Sequence, residues 1–553
     1  MISLVTLFIL FLGLTCHVHG DFEFKSPTLW KNSLLKRASG ALKMIDIVDP
    51  AKNDYALVID AGSSHSEVIL FTWSEKYHGT GFVRQISNCE VSPGIDGLED
   101  PKETLENLLA CVRKLLDKVP DSHPGPFPLL LGATAGMRVQ KLKDEKRSNA
   151  IFITIRRGFE NFSYKGRRLL IDRLQILPDK DEGLFAWITA NYLLKYIPPE
   201  TEREYEDMED VDSIGILDMG GASAQIAFQT DEDASSHVKL FGEDYGVKSY
   251  SNLCFGSDQA AERYRFLLLI DREDKKSNII NNPCSQNDPD IVVKGSHFLN
   301  NPCLRVYDSL KIDVDPDQEY IFRSNSYNAD TCRHAVAEIT DWDACDDTFT
   351  NCPTTEEEPI HDTTFYALSS FYFALRVLPT FSKGSEAVID QDRLLTEIDE
   401  WCKKPYSDRV AKAGEKHAHT LCFKQNFIYY TLNQIYNLDD SSWKRLHFTN
   451  KIDGATLGWT LGYTLKRSNT LPIRVVKSKV STEVFKLHQQ VKDLINNLGN
   501  SDEQSFLMQE EQLANVCEKI ATSLQADILF QYEECGTLEH MKAKCCKDRF
   551  GSW

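Results

Sequence analysis

Two stretches of the chain share one pattern of apolar and polar residues. In the first, apolar residues 55–59 lead into Asp60, a turn of small residues at 61–65 and a second apolar run at 68–71. In the second, residues 213–217 lead into Asp218, small residues at 219–223 and an apolar run at 225–228. Apolar runs bounded by glycine-rich turns are typical of buried strands. Each stretch therefore predicts a strand, a tight turn and a second strand, with an aspartate where the first strand ends.

The spacing of the two stretches indicates an internal duplication. Asp60 and Asp218 lie 158 residues apart (218 − 60), which is about the length of one domain. Repetition of a strand–turn–strand unit at this period predicts a duplicated α/β domain with two phosphate loops that face each other across a cleft. Two unrelated hairpins with the same turn chemistry are the alternative, but the occurrence of both turns at strand ends favours the cleft.

The remaining chain predicts the elements that accompany these strands. Residues 129–131 form a short apolar strand before the turn at 132–138. Residues 181–194 predict a helix with acidic residues in its first turn, where the helix dipole favours them. Apolar periodicity predicts further helices at 365–378, 389–401 and 426–436. Beyond Pro472, two amphipathic helices of a cysteine-bearing appendage are predicted, at 481–498 and 511–530.

The N-terminal residues have the pattern of a signal peptide. Residues 4–14 are predominantly apolar, and Val18 and Gly20 have the spacing that signal peptidase accepts. A single membrane anchor is the competing interpretation, but the apolar run is shorter than the ~18 residues that a spanning helix needs. No later stretch reaches that length. The sequence therefore predicts cleavage after Gly20 and a secreted, extracellular protein with no membrane span after signal removal.

Cysteine content and charge narrow the class of protein. The chain has 15 cysteines and a net charge of −20. Removal of Cys16 with the signal peptide leaves 14 (15 − 1), an even number that fits disulfides formed in an oxidising compartment. The acidic charge argues against a nucleic-acid partner, which needs a basic face. Asn161 begins an Asn-Phe-Ser sequon and is a predicted glycosylation site.

The turns and strand ends carry residues suited to phosphoanhydride hydrolysis, which needs bound phosphates, neutralised charge and a positioned water. Asp60 and Asp218 suit a hydrated divalent cation, and Glu182 at a helix start is a candidate general base. Backbone amides of glycine turns hold phosphate oxygens. Two such turns are present, one with Gly62, Ser63, Ser64 and His65, the other with Gly220, Gly221, Ala222 and Ser223.

Each of these assignments has a structural alternative. Asp60 or Asp218 alone would equally cap its own turn. Glu182 alone would equally be a favourable charge in the first turn of a helix, and His65 a turn residue in contact with solvent. The residues by themselves leave these alternatives open.

Five segments, in chain order, resemble the apyrase-conserved regions of the ecto-nucleoside triphosphate diphosphohydrolase family. They are DAGSSHS from Asp60, GATAGMR from Gly132, DEGLFAWITANYLL from Asp181, LDMGGASAQIAF from Leu217 and GWTLGYTL from Gly458. The resemblance spans about residues 55–472. It implies two duplicated actin-like (ribonuclease H-like) α/β domains with the active site in the cleft between them, which agrees with the duplication in the apolar pattern.

The resemblance also implies a role for each matching residue. Glu182 would be the catalytic base, Ser223 and Gln225 would hold the attacking water, and no covalent phosphoenzyme is expected. A hydrated Ca²⁺ or Mg²⁺ ion would be held through waters by Asp60, Asp218, Thr134 and Trp459. The phosphates would be bound by Gly62, Ser63, Ser64, His65, Thr134, Arg138, Gly220, Gly221 and Ala222.

Similarity to the larger, cell-surface branch of the family adds further expectations. Tyr372 or Phe373, together with Phe427, would stack on the nucleotide base, although all three also fit a helix core. Ser66 and Ala224 stand where the family usually has Thr. The family's membrane anchors are replaced here by the signal peptide and the cysteine-bearing tail. The resemblance implies the disulfides Cys89–Cys111, Cys254–Cys303, Cys284–Cys332, Cys345–Cys352 and Cys402–Cys422.

These features predict a secreted apyrase that converts extracellular nucleoside tri- and diphosphates, ATP and ADP among them, to the monophosphate. A narrower nucleoside diphosphatase acting on UDP or GDP and a non-catalytic nucleotide-binding scavenger are the alternatives. The predicted partners are small-molecule nucleotides, and the oligomeric state stays unpredicted. The predicted domains are a signal peptide (1–20), a leader (21–53), a first actin-like domain (54–178, completed by 450–480), a second (179–449) and a helical, disulfide-bearing appendage (481–553).

Overall fold

The structure is a computed structural model that describes residues 53–468 with interruptions. The interruptions are 63, 75–82, 96, 98–99, 122, 124, 198–212, 231–233, 242, 306–313, 341–362, 385 and 453–454. The predicted signal peptide, nearly all of the leader, the C-terminal appendage, Ser63 and the Cys345–Cys352 pair lie outside the described residues. Nearly all of the described residues belong to one compact unit, Tyr55–Trp73 and Gly79–Thr470.

The first sheet has five strands and contains the first aspartate turn. Its order is β3-β2-β1-β4-β5; β4 runs parallel to both β1 and β5, and β2 and β3 are antiparallel. Its buried core includes Leu57, Leu129 and Ile151. The strands are β1 (Asn53–Ala61), β2 (Ser66–Ser74), β3 (Arg84–Val91), β4 (Phe127–Ala133) and β5 (Leu169–Ile176). The helices are α1 (Pro101–Leu116), α2 (Ala135–Lys143) and α3 (Glu145–Glu160).

The second sheet has seven strands and contains the second aspartate turn. Its order is β14-β15-β13-β6-β7-β9-β8. The strands are β6 (Gly215–Met219), β7 (Ser223–Gln229), β8 (Ser236–Leu240), β9 (Glu243–Leu253), β13 (Phe365–Ser369), β14 (Glu386–Ala387) and β15 (Leu446–Thr449). Separate small sheets are formed by β10 (Ile279–Asn281), β11 (Ile291–Lys294) and β12 (Glu319–Arg323), and by β16 (Lys451–Ile452) and β17 (Ala455–Thr456).

The remaining helices lie before, between and after the strands of the second sheet in the chain. They are α4 (Asp179–Leu193), α5 (Ser257–Asp271), α6 (Gly295–Leu299), α7 (Ala329–Thr340), α8 (Ser370–Leu375), α9 (Gln391–Cys402), α10 (Tyr406–Ala413), α11 (Glu415–Ala418), α12 (Leu421–Tyr430), α13 (Asp440–Trp443) and α14 (Trp459–Ser468). A 3₁₀ turn occupies Phe381–Lys383, and a π-helical turn, Thr431–Ile435, continues α12. No helix among the residues described is both long and apolar enough to cross a membrane.

The two large sheets repeat one arrangement. The order β3-β2-β1-β4-β5 of the first corresponds to β9-β7-β6-β13-β15 within the second. In both, the first two strands are antiparallel and the later neighbours are parallel. Asp60 is the next-to-last residue of β1, and Asp218 is the next-to-last residue of β6. The predicted duplicated, actin-like α/β fold is therefore confirmed.

The predicted helix at 365–378 is wrong over its first part. Residues Phe365–Ser369 form β13, a buried strand between β6 and β15, and the helix begins only at Ser370. A short apolar run does not distinguish a buried strand from a buried helix, because both faces are covered in each case. The helices predicted at 181–194 and 389–401 are confirmed within two residues at each end.

Helix α14 connects the first sheet to α4. On one side Tyr463 and Arg467 bond to Asp172 of β5, with the Tyr463 hydroxyl 3.1 Å from Oδ2. On the other side the Gly462 amide donates to the Thr189 hydroxyl of α4 at 2.8 Å. Through these contacts, α14 packs against both β5 of the first sheet and α4. The predicted domain boundaries stay predictions.

Four of the five implied cysteine pairs lie at bonding distance in the structure. Their Cα atoms are 5.6 Å apart for Cys89–Cys111, 5.4 Å for Cys254–Cys303, 4.8 Å for Cys284–Cys332 and 5.5 Å for Cys402–Cys422. These separations fall in the range of native disulfides. All four connect elements outside the turns that carry Asp60 and Asp218, so they brace the scaffold around those turns.

The close approach of α14 to α4 depends on Gly462. A Cβ atom at this position would lie 2.0 Å from the backbone oxygen of Phe185. We expect Gly462→Ala to destabilise the fold by about 1–3 kcal/mol, the cost of overpacking a tight contact. Thermal unfolding measures the effect. Gly458→Ala is the matched control, because nothing lies within 4 Å of a Cβ there, and equal melting temperatures for the two variants would contradict the expectation.

Candidate active site

The first turn lies at the edge where β1 and β4 end together. The register pairs Asp60 with Gly132, and the Thr134 amide donates to the Ala61 carbonyl at 3.1 Å. The turn is tight, because a Cβ on Gly62 would lie 2.9 Å from the His65 carbonyl oxygen. Ser64 and His65 are exposed and contact each other through Oγ and Nδ1 at 3.0 Å. Parallel strands thus bring the first two apyrase-like segments to one site.

The second turn rests on the N-terminus of α5. The amides of Ser257 and Asp258 donate to the carbonyls of Gly220 and Gly221 at 3.0 and 2.9 Å. Gly256 makes this approach possible, since a Cβ there would lie 2.4 Å from the amide nitrogens of Ala222 and Ser223. The sequence interpretation missed Gly256, whose only signal was its position between a strand and a helix.

Three carboxylates from separate segments converge between the two turns. Burial, then the charge of Glu182, raises the pKa of Asp60 to about 8, while the nearby Trp459 indole opposes the shift. Burial raises the pKa of Glu182 to about 7, against the lowering effect of Arg138, and Asp218 adds to the rise. Burial also raises the pKa of Asp218, and a hydrogen bond from Ser369 opposes it. The structure therefore brings together Asp60, Asp218, Glu182 and Trp459, whereas their roles stay predictions.

Two of these carboxylates have oxygen atoms suited to a cation. Oδ1 of Asp60 and Oδ1 of Asp218 are buried and have no hydrogen-bond partner. The indole nitrogen of Trp459 is also buried, and its N–H is the hydrogen-bonding group that lowers the pKa of Asp60. Buried charge without a partner is costly, and carboxylate oxygens and water are what Ca²⁺ and Mg²⁺ prefer. The residues present therefore fit a hydrated divalent cation.

Direct protein ligands are sparse at this point. Within the described part of the chain, no three His, Cys, Asp or Glu side chains are grouped so as to ligate a metal ion. Thr134 is buried at the start of α2. The indole N–H of Trp459 is a donor only, so its contact with a hydrated ion would be made through a bound water.

Glu182 is held by a cation on α2. It lies in the first turn of α4, and its Oε2 accepts a hydrogen bond from Nη2 of Arg138 at 2.6 Å. Nη1 of the same guanidinium bonds to Asp179 Oδ1 at 2.9 Å and to Ser251 Oγ at 3.0 Å. Arg138 was predicted to lie along the phosphates; in the structure both of its terminal nitrogens contact protein groups around Glu182.

Ser223 and Gln225 lie next to this cluster on β7. The Gln225 amide nitrogen donates to the hydroxyl of Ser223 and, at 2.9 Å, to the hydroxyl of Ser251. Its amide oxygen is buried without a partner. Ser251 lies on β9 and is itself buried. The sequence interpretation did not include Ser251, because its strand carries none of the five family-like segments.

The three aromatic residues predicted to stack on the nucleotide base differ in their exposure to solvent. Phe373 is 45% exposed on α8, beside the partly buried Tyr372. Phe427 is completely buried on α12, and its ring stacks on Phe423 with centroids 5.9 Å apart. The assignment of Phe427 to base stacking is therefore wrong for this structure. The alternative of a helix-core residue accounts for its position, since an apolar helix face looks the same in sequence whether it meets a base or a core.

A strained turn adjoins Asp218. Ser369 ends β13, whose register pairs Leu368 with Asp218, and it has φ 53° and ψ −122°. Non-glycine residues adopt this conformation rarely, and such strain clusters at functional sites. The next residue, Ser370, contacts Ser257 at the start of α5 through the two hydroxyls at 3.1 Å. The turn thus fixes Asp218 and the base of the second loop together, which local sequence did not reveal.

Comparison with known proteins agrees with this site. Residues 46–490 match the GDA1/CD39 (nucleoside phosphatase) family. Ectonucleoside triphosphate diphosphohydrolase 1 of Mus musculus is 30% identical over 441 residues, which cover 76% of this chain and 82% of that protein. Ectonucleoside triphosphate diphosphohydrolase 3 of Homo sapiens is 28% identical over 483 residues, which cover 84% and 89%.

The fold is shared with a solved structure as well. Nucleoside triphosphate hydrolases from Neospora caninum superpose with a TM-score of 0.56 at 16% sequence identity, covering 79% of this chain and 97% of that one. At this identity the likeness concerns the fold alone. The family match extends over most of the chain and includes every segment that builds the site. The chain therefore belongs to the GDA1/CD39 family of nucleoside phosphatases.

Proposed function

We propose that this nucleoside phosphatase is a secreted apyrase that removes the terminal phosphates of extracellular nucleoside tri- and diphosphates, with a divalent cation, to give the monophosphate. One observation carries the proposal. Asp60, Asp218 and Glu182 converge as buried carboxylates with raised pKa values between two glycine-containing turns. Perturbed carboxylates gathered next to phosphate-binding turns suit phosphoryl chemistry better than structural ion pairing.

In this proposal, the two turns bind the phosphates of the nucleotide. Gly62 to His65 on one side, and Gly220 to Ala222 on the other, present backbone to a polyanion without bulky side chains in between. The chain has a net charge of −20, which repels a nucleotide. Local hydrogen-bond donors such as these backbone amides are therefore needed to bind its phosphates. Thr134 and Ser64 would add hydroxyl groups on the side of β1 and β4, and Ser63, which lies outside the described residues, stays a predicted phosphate contact.

In this proposal, the negative charge of the phosphates is balanced by a divalent cation, Ca²⁺ or Mg²⁺. Bound there, it would neutralise phosphate oxygens and favour attack at phosphorus. Asp60 and Asp218, with their unpartnered Oδ1 atoms, would hold it through waters together with Thr134 and Trp459. The same cation would offset the burial that raises the pKa of both aspartates and the repulsion by Glu182 that adds to the rise at Asp60.

In this proposal, Glu182 activates the attacking water. A carboxylate whose pKa is raised to about 7 is matched to accepting a proton near neutral pH. Ser223 and the unpartnered amide oxygen of Gln225 would hold the water. The water oxygen bonds to the terminal phosphorus, its proton passes to Glu182, and the phosphoanhydride bond breaks to release the shortened nucleotide. No side chain is phosphorylated in this scheme.

The remaining expectations rest on sequence. Secretion rests on residues 1–20, and base stacking now rests on Tyr372 or Phe373, with broad base preference expected because stacking accepts any aromatic face. Asn161 is exposed at the end of α3, which suits a glycan. A narrower nucleoside diphosphatase would differ only in substrate range, and a scavenger would bind nucleotides without releasing phosphate.

Phosphate release should require a divalent metal. We expect the purified chain to release phosphate from ATP, ADP, UDP and GDP, but not from AMP, when Ca²⁺ or Mg²⁺ is present. The metal is needed because the negatively charged phosphates would otherwise be repelled by the carboxylates of the site. EDTA should abolish the release, and added metal should restore it. Turnover that persists in EDTA would contradict the role given to Asp60 and Asp218. Release from diphosphates alone would favour the narrower enzyme, and none from any nucleotide would favour the scavenger.

Glu182→Gln should reduce kcat by about 10²–10⁴-fold, the usual contribution of a general base. The amide has the shape of the carboxylate but accepts no proton from water. Nucleotide binding, measured by calorimetry or equilibrium dialysis with metal present, should persist. Asp181→Asn, a neighbouring change in the first turn of the same helix, is the matched control and should retain turnover. Near-normal turnover in Glu182→Gln would mean that another group takes the proton.

Arg138→Leu should move the acidic limb of the kcat/KM profile to higher pH. Arg138 lowers the pKa of Glu182, so its removal raises that pKa. The base is active when deprotonated, and activity is then lost at a higher pH as the solution is acidified. Arg138→Lys keeps a positive charge and should shift the limb less. The profiles are measured at saturating metal, and an unchanged or lower limb in Arg138→Leu would contradict the assignment of the limb to Glu182.

A further inference from the structure

Ser251 lies where three parts of the proposed water-activating set meet. It is a buried residue of β9, directly opposite Gln225 of β7 in the antiparallel register. Its hydroxyl oxygen accepts hydrogen bonds from the Gln225 amide at 2.9 Å and from Nη1 of Arg138 at 3.0 Å. These two donors occupy both lone pairs of the hydroxyl.

The first consequence concerns Gln225. Its amide nitrogen has two hydrogens, and it donates to Ser223 and to Ser251. Both hydrogens are therefore directed at hydroxyl groups, and the buried amide oxygen is the atom of this side chain that is left without a partner. An amide held at both hydrogens cannot rotate freely, so Ser251 fixes the direction in which Gln225 offers its acceptor.

The second consequence concerns Glu182. Nη1 of Arg138 is held by Asp179 and Ser251, and Nη2 reaches Glu182 Oε2 at 2.6 Å. A guanidinium is planar, so fixing Nη1 also fixes the direction of Nη2. Ser251 thereby influences the position of the cation that sits against the proposed base.

We propose that Ser251 is a positioning residue for hydrolysis, whose single hydroxyl aligns the water-holding amide of Gln225 with the Arg138–Glu182 pair. The proposal rests on the proposed function of this site. Ser251 itself does not touch the reacting atoms in this scheme. It acts because one oxygen atom sets the relative placement of two groups that come from different strands and helices.

A purely structural role is the competing explanation, and the chain offers a matched control for it. Ser249 lies two residues earlier on β9, on the same face and equally buried. Its hydroxyl donates to the Lys180 carbonyl of α4 at 2.8 Å. Ser249→Ala therefore removes a buried hydroxyl from the same strand and a contact to the same helix, without touching Gln225 or Arg138.

The test compares Ser251→Ala with Ser249→Ala in the full-length chain, by steady-state phosphate release and thermal unfolding. Ser251→Ala should lower kcat by about 10–100-fold, the usual effect of losing an outer partner of a catalytic group, with KM little changed. Ser249→Ala should keep kcat. Ser251→Ala removes the acceptor of two hydrogen bonds and Ser249→Ala the donor of one, so both variants should melt below the wild type. Equal kcat in the two variants, or a loss confined to KM, would overturn the proposal.

Two further comparisons keep the result unambiguous. Ser251→Thr and Ser251→Val have the same shape and differ in the hydroxyl, so only the threonine variant should retain turnover; equal rates would overturn the proposal even if Ser251→Ala fails to fold. In a Gln225→Ala background, Ser251→Ala should cost much less than in the wild type, because coupled residues are not additive. Full additivity would also overturn it. A wild-type chain that releases no phosphate would instead refute the proposed function.

Discussion

The burial of three carboxylates that influence one another electrostatically is the constraint on which the rest of this site depends. Asp60, Asp218 and Glu182 are each disfavoured as anions by desolvation, and they repel one another. Such a cluster is stable only where the surrounding fold fixes it and where positive charge is supplied. One positive group is part of the chain, the guanidinium of Arg138 against Glu182. The aspartates have no comparable partner, which is the physical basis for assigning them to a cation.

The duplicated sheet explains how such a cluster can be assembled reproducibly. In both halves an aspartate is the next-to-last residue of a central strand, and that strand has a parallel neighbour on one side. Carboxyl ends of parallel strands lie at one edge of a sheet, which is where ligands bind in open α/β folds. Close approach of the elements around that edge depends on small residues, since Gly256 and Gly462 lie against backbone atoms that a Cβ would overlap.

The sequence revealed those features that repeat or that a local pattern encodes. The strand–aspartate–turn unit occurs twice, so the fold and the equivalent positions of Asp60 and Asp218 in the two sheets were predictable. The strand at 365–369 was mistaken for a helix, because a run buried on both faces has no distinguishing period. Phe427 and Phe373 are both apolar helix residues, and only tertiary packing decides which one is exposed. Ser251 and Ser369 contact residues that are distant in sequence, and no spacing rule links them to Gln225 or Asp218.

The environments of the carboxylates also separate their chemical roles. When titratable groups share a site, the differences between their surroundings indicate which one holds charge and which one moves a proton. Glu182 has one oxygen bonded to Arg138, so it is oriented and less available as a ligand. Asp60 and Asp218 each keep a buried oxygen free of hydrogen bonds, so they are available to a cation. The proposed division of labour between base and metal-binding residues thus follows from where a single arginine is placed, and Arg138 is itself held in that place by Asp179 and Ser251.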